Sequence, residues 1–394
     1  MNGLNNPYFA QELSVHTEDR YDRALKRCVD RLHEQMATIG LRNPKIGTDG
    51  NKWIYCDGPD WVMGFQSGQY WLAYQLTGDA AFRNAAQARR PEYRKILENH
   101  RFRDHDLGFQ FSLHSVADWL MTGDKEARDM GLSAAFALIS RFRPEGGYIQ
   151  AWSPFGANDP ERAKFTNGRM IADTIQNLAL LHWAHKETGI ADYRDIAQIH
   201  AQTSADHLVR ADDTTFHTYL FDPATGEPMR GETHQGYADN SCWARGQAWL
   251  MHGFTQCYAY TGDKHMLDMA RRVCSKAEAL LGTDSVPVWD FSLASHETPH
   301  LDSSAAAVMA AGLYLLSDQD IPNEESDHWR AFGNRLLDGL LETCDLTTTE
   351  GAQGLLAHGA AHVPAGRCDA MLPYGDYYFI EALMRSQGHT QFFW

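Results

Sequence analysis

Helical punctuation constrains this chain more than any other feature of its sequence. Thr77-Gly78-Asp79, Thr122-Gly123-Asp124 and Thr261-Gly262-Asp263 repeat one signal, with weaker versions at Thr188-Gly189 and Ser317-Asp318. Glycine closes a helix in the left-handed conformation, and aspartate opens the next by accepting from its free amides. Between these marks two kinds of helix alternate. Amphipathic segments with one charged face fall at roughly 20–39, 80–98, 125–142, 191–210, 264–281 and 325–345. Tyr21, Leu25, Cys28, Val29, Leu32 and Met36 form the apolar stripe of the first. Segments apolar or small on all sides fall at roughly 63–77, 107–121, 169–187, 241–260, 303–316 and 375–387. A helix apolar all round is a buried helix. Six outer and six inner helices in strict alternation predict an all-α chain closed into an (α/α)6 barrel. A solenoid of helix pairs would share the alternation. Its repeats, however, are usually more regular than the spacings of 45, 66 and 73 residues between successive turn glycines.

The connections locate a binding face. Links from inner to outer helix are tight turns, whereas links from outer to inner helix are long, at roughly 40–62, 99–106, 143–168, 211–240, 282–302 and 346–374. In a barrel of hairpins all the long links emerge at one end, and loops of this length in a compact domain are usually functional. No linker or low-complexity tract interrupts residues 1–394, so the chain reads as one domain.

Composition narrows the partners. With 35 Lys and Arg against 51 Asp and Glu the net charge is −16, which argues against nucleic acid or an anionic membrane. No apolar run approaches the ~20 residues of a membrane span. The first 20 residues lack a basic region followed by an apolar one. The seven cysteines are scattered, without a C-x-x-C pair, and read as buried thiols in a reducing compartment. Together these features predict a cytoplasmic protein, or a periplasmic one if a leader was removed. The 11 Trp, 16 Tyr and 19 His suit a flat-faced ligand such as a carbohydrate, though a large helical core also uses such rings.

Polar residues stand out where the barrel mouth is expected. Asp104-His105-Asp106 precedes the second inner helix. In the third, Asp173, Gln176 and Asn177 share one stripe of an otherwise apolar segment. A carboxylate there is costly unless paired or used. It reads either as an aspartate capping loop backbone or as a carboxyl of raised pKa, suited to proton transfer. In the fourth inner region Asp239, Asn240 and Ser241 are N-cap types, and Arg245 and Trp249 share a face. Arg245 can grip a ligand carboxylate with two prongs, or pair internally with an aspartate to tie inner helices together. Asp302 reads as a plain N-cap of the fifth inner helix.

Several matches fail on physical grounds. His296-Glu297-Thr298-Pro299-His300 fits H-E-x-x-H, but that zinc site needs both histidines on one helical turn, which Pro299 forbids. Asp104-His105-Asp106 lacks a partner cluster of ligand spacing. Gly64-Phe65-Gln66-Ser67-Gly68 lacks the strand–helix setting of a nucleophile elbow, and no phosphate loop or dinucleotide fingerprint occurs.

Six stretches resemble, in order, the unsaturated glucuronyl hydrolases, glycoside hydrolase family 88. They are 61–68, 104–111, 169–184, 234–249, Trp289-Asp290-Phe291 with 302–307, and 374–383. The resemblance implies an (α/α)6 barrel that removes a 4,5-unsaturated uronic acid from the non-reducing end of oligosaccharides left by polysaccharide lyases. The reaction it implies is hydration of the C4=C5 double bond, with no metal or organic cofactor. By motif, Asp173 resembles the general acid/base and Asp106 the second carboxylate. His105 and His217 are placed at the site, Gln235 and Arg245 resemble carboxylate and hydroxyl binders, and Trp61 and Trp249 resemble stacking walls. Trp152 is the candidate for a further loop tryptophan. Sulfate-preferring members carry Ser and Lys just before the sixth stretch. Residues 366–374 have neither, which favours an unsulfated or differently sulfated neighbouring sugar, with Arg367 as a substitute. The rivals are an unsaturated rhamnogalacturonyl hydrolase acting on pectin fragments, an (α/α)6 sugar epimerase and a non-catalytic carbohydrate-binding toroid. The expected assembly is a monomer or weak dimer.

Overall fold

The computed structural model describes residues 6, 8, 19–152 and 164–394. The helices are α1 (Arg20–Ile39), α2 (Met63–Thr77), α3 (Ala80–Gln87), α4 (Arg90–Glu98), α5 (Leu107–Phe111), α6 (Ala117–Thr122), α7 (Lys125–Ile139), α8 (Thr174–Thr188), α9 (Ala191–Leu208), α10 (Ala244–Thr261), α11 (Lys264–Leu281), α12 (Ser303–Ser317), α13 (Asn323–Thr343) and α14 (Pro373–Ser386). The inner ring consists of α2, α5 joined to α6, α8, α10, α12 and α14. Each inner helix packs on the next, and α14 packs back on α2, which closes the (α/α)6 barrel.

The turns work as their sequence predicts. Gly78, Gly123, Gly189 and Gly262 all take left-handed φ between 68° and 74° and cap α2, α6, α8 and α10. The threonine before each glycine donates its hydroxyl to a carbonyl one turn back. The same oxygen accepts the amide that opens the following helix. Asp79, Asp124 and Asp263 then cap α3, α7 and α11.

Glycine also sets the bore of the barrel. Gly64 lies against the Phe109 carbonyl, Gly108 against Asn177, Gly253 against Ile175, Gly312 against His252, Gly375 against Ser304 and Gly68 against Tyr377. Each pair sits on a different seam of the inner ring, and a methyl group at any of them would crowd the facing helix. Close approach without a Cβ lets six inner helices share a narrow axis.

Five expectations need correction. The second outer segment is two helices, α3 and α4, and the second inner one contains a π turn, Ser112–Val116, where His114 stacks on Tyr93 at 3.7 Å. The third inner helix starts at Thr174, because Arg169–Ile171 is a strand. It pairs antiparallel with Thr218–Phe221, which pairs with Pro228–Glu232. The fourth inner helix starts at Ala244, and Asp239, Asn240 and Ser241 do not cap it. The Ser241 hydroxyl instead donates to buried Asp290 at 2.6 Å, and the Ala244 amide is taken by the Trp289 carbonyl. Finally, the long links are not structureless, since the described residues include short ribbons at Pro44–Gly47 with Trp53–Tyr55 and at Phe142–Arg143 with Tyr148–Ile149. Segments of two to five residues are too short for alternation to separate them from loop.

The exclusions stand where the structure bears on them. Residues 296–300 are an exposed loop and not a helical turn. Among the described residues no helix is long and apolar enough to cross a membrane. The cysteines are unpaired, and burial pushes the Cys257 and Cys344 thiols up to about 12.

Candidate active site

The long links converge on a cavity of about 210 Å³. Trp61, His105, Asp106, Asp173, Gln235, Arg245 and Trp249 line it, whereas His217 does not. Lys45, Asp60, Trp152, His234, His362, Arg367 and Tyr374 join them. Of these Trp152 and Arg367 were singled out by motif position, and His234 and Tyr374 open two of the matching stretches. The others come from separate links that ring closure brings together.

Asp173 is the last residue before α8, and its carboxylate makes no cap bond. Gln176 and Asn177 explain the rest of the polar stripe. Gln176 donates to the Trp249 carbonyl at 2.8 Å and accepts from the Tyr378 hydroxyl at 3.1 Å, while Asn177 accepts from the Phe109 amide at 2.7 Å. Two members of the stripe thus tie α8 to its neighbours and leave Asp173 facing the cavity. His105 Nε2 lies 3.4 Å from Asp173 Oδ1 and 3.6 Å from Asp106 Oδ1. All three atoms are buried without an aligned hydrogen-bond partner among the described residues.

Burial drives the Asp106 carboxyl well above the usual range. His105 opposes this, and Asp104, Asp173 and Asp60 add to it. Burial alone would lower His105, while the Asp106 and Asp173 carboxylates pull the ring the other way, toward its charged form. The site therefore holds acid protons near neutral pH, which proton transfer requires. Donor atoms of Asp104, His105 and Asp106 lie within 4.8 Å of one another. Two of the three turn lone pairs to backbone, however. Asp104 accepts the Asp106 amide at 2.9 Å, and His105 Nδ1 accepts the Trp152 amide at 3.2 Å. This arrangement suits acid chemistry better than metal ligation.

Arg245 shows the internal arrangement. It is buried, forms an ion pair with Asp302 and donates to the carbonyls of Ala360 and Ala361, each at 2.9 Å. Asp302 thus does more than cap α12, since it accepts both the Ser304 amide and the Arg245 charge. Gln235 donates to the same Ala361 carbonyl at 2.8 Å. His217 lies behind the wall, where its Nδ1 accepts the His234 and Gln235 amides at 3.1 Å each. Burial and the neighbouring cations push it well below the histidine range. Trp61 packs on Tyr374 at 5.0 Å and Trp249 on Phe109 at 5.3 Å, giving the cavity aromatic sides.

Two carboxylates and an imidazole under aromatic walls, at the loop end of a helical barrel, define a glycosidase-type site. The model of Glycosyl Hydrolase Family 88 matches residues 19–382, and the chain belongs to that family, as an unsaturated glucuronyl hydrolase. It is 38% identical over 90% of its length, and 94% of the relative's, to the unsaturated glucuronyl hydrolase of Bacillus sp. strain GL1. It is 32% identical to an unsaturated chondroitin disaccharide hydrolase of Streptococcus pneumoniae, covering 99% and 98% of the two chains. The crystal structure of the Bacillus sp. GL1 enzyme, described as responsible for degradation of glycosaminoglycan, superposes with a TM-score of 0.89. That match has 35% identity and covers 95% of this chain and 99% of that one.

Proposed function

We propose that Asp173 is the general acid/base that hydrates the C4=C5 double bond of an unsaturated uronic acid at the end of a glycosaminoglycan-type oligosaccharide. Asp173 gives its proton to C4, and water adds at C5 while returning a proton to the carboxylate. The C5 hemiketal then opens by breaking its bond to the ring oxygen, and the C1 hemiacetal releases the partner sugar. Carboxylate separation, which separates retaining from inverting enzymes, has no bearing on this route. Asp106 steers the proton and the sugar hydroxyls, with His105 between the two acids. Trp61 and Trp249 bracket the ring. Gln235 offers its free carbonyl end, and Arg245 acts through its charge and through the 360–361 backbone it holds. His217 acts at one remove, by fixing the Gln235 backbone.

The observation that carries this reading is the uncapped Asp173 carboxylate beside His105 in an aromatic-walled cavity. Relatives named for chondroitin disaccharides support a glycosaminoglycan-type substrate over a pectin fragment. The residues given roles here all come from one chain, in keeping with a monomer or weak dimer. The test is loss of ultraviolet double-bond absorbance with unsaturated disaccharides from hyaluronan, chondroitin, heparin and pectin. The natural protein consumes at least one of the first three, and Asp173→Asn lowers kcat at least about 10³-fold with its melting temperature held. Silence with every substrate, or near-normal turnover by the Asn variant, sinks the reading.

A further inference from the structure

Arg141 sits between α7 and the Phe142–Arg143 strand, outside the cavity lining. Among the described residues Arg141 forms no ion pair, and Asp104 and Asp106 act on it only through space. Every donor it has points to backbone. Nε reaches the Gln150 carbonyl at 2.9 Å, Nη1 reaches Arg103 at 2.9 Å, and Nη2 reaches Ala151 at 3.2 Å and Trp152 at 2.6 Å. One guanidinium thus fastens the link that ends in Asp104-His105-Asp106 to the link that carries Trp152.

The fastened residue is in an unusual state. Trp152 has φ of 28°, in the left-handed region that bulky side chains avoid, so something must hold it there. In that turn its amide donates to His105 Nδ1 at 3.2 Å, with the indole edge-on to the imidazole at 5.7 Å. A ring nitrogen that accepts an N–H must keep its lone pair. The ring proton then sits on Nε2, the atom facing Asp173 and Asp106. An imidazolium would set N–H against N–H at Nδ1.

We propose that Arg141 is a positioning residue that selects the neutral, Nε2-protonated form of His105 by holding the Trp152 amide on Nδ1. Asp104, Asp106 and Asp173 draw the ring toward its charged form. Burial and the Trp152 amide on Nδ1 oppose it, and His200 behind it is held down to about 3 chiefly by burial. A neutral ring removes a positive charge that would pull the proton off the neighbouring acid. The inference rests on the proposed role of Asp173.

The test combines nitrogen-15 histidine spectra with kinetics. His105→Gln assigns the signal, and Arg141→Met, of similar length but without donors, removes the fastening. In the natural protein His105 shows an unprotonated Nδ1 and a protonated Nε2 throughout the neutral range. In the Met variant Nδ1 gains a proton at neutral pH, because the carboxylates at Nε2 are then no longer opposed by the fixed amide. Its kcat falls by about 10- to 100-fold, with the pH profile displaced and KM changed by less than about threefold. If Arg141→Met does not fold, Arg141→Lys, which cannot reach all four carbonyls, is read the same way. A protonated Nδ1 in the natural protein, or identical nitrogen shifts in protein and variant, overturns the proposal. A natural protein inactive on every disaccharide would sink the hydrolase mechanism and leave the nitrogen shifts to decide this one.

Discussion

At the scale of single residues, what a side chain can do depends on which of its atoms are already spent. Asp173 and Arg245 both stand out in sequence as charges on apolar helices. Asp173 keeps its carboxylate for the cavity, whereas Arg245 gives its fork to Asp302 and to two carbonyls. Nothing in the sequence distinguishes these outcomes, because Asp302 lies 57 positions away. Removing one partner of a buried pair is expensive because the other charge is stranded. Arg245→Met is therefore expected to cost about 3–5 kcal/mol. Adding Asp302→Asn should recover a good part of that loss, and thermal unfolding of both variants measures it. A double variant no more stable than the single one would show that the pair is not what Arg245 contributes.

At the scale of elements, helices and turns were the most legible part. The α1 stripe, the Thr-Gly-Asp turns and the bounds of α11 follow from contacts within about four residues, which sequence states directly. The strand at Arg169–Ile171 was not legible, since it exists only because Thr218–Phe221 runs beside it. The inner-ring glycines were visible as residues but not as a seam. Gly64→Ala would drive a methyl group into the Phe109 carbonyl, a backbone atom that cannot yield without moving a helix. The expected cost is about 3 kcal/mol or more. Gly58→Ala, where nothing lies within 4 Å, is the control and should fall within about 0.5 kcal/mol of the parent. Equal denaturation midpoints for the two would contradict the close-approach argument.

At the scale of the whole molecule, charge and protonation decide how the barrel meets its substrate and its solvent. A chain of net charge −16 must take up an anion, so the mouth relies on local cations, with Lys45 and Arg367 both on the cavity wall. Buried groups inside the barrel set its acid limit. Burial holds His182 down to about 4 and His200 to about 3. Burial alone would raise Glu381, but Arg385 and His252 keep it at about 2. All three take protons more readily when unfolded, so their contribution is complete above the unfolded histidine value near 6.5. It is lost as pH falls, first through the histidines and then through Glu381. Each histidine steepens the loss by about 1.4 kcal/mol per pH unit below that value. His200→Gln, which keeps an acceptor for the Ile149 amide, is expected to flatten the fall in melting temperature between about pH 6.5 and 4. Parallel curves would rule His200 out as a source of the acid sensitivity.

The sequence by itself determined the alternation of inner and outer helices, the turn chemistry and the end of the barrel that carries the site. Amphipathicity and capping act between near neighbours, so they are written in residue order. Tertiary structure decided which polar atoms remain available. It paired Arg245 with Asp302, set His217 behind the cavity wall, brought Lys45 to Asp60 at 2.9 Å and turned the Trp152 amide onto His105. Those assignments join links that come together only when the last inner helix closes on the first. Hydrogen-bond geometry across such a closure is a property of the ring, not of any segment in it.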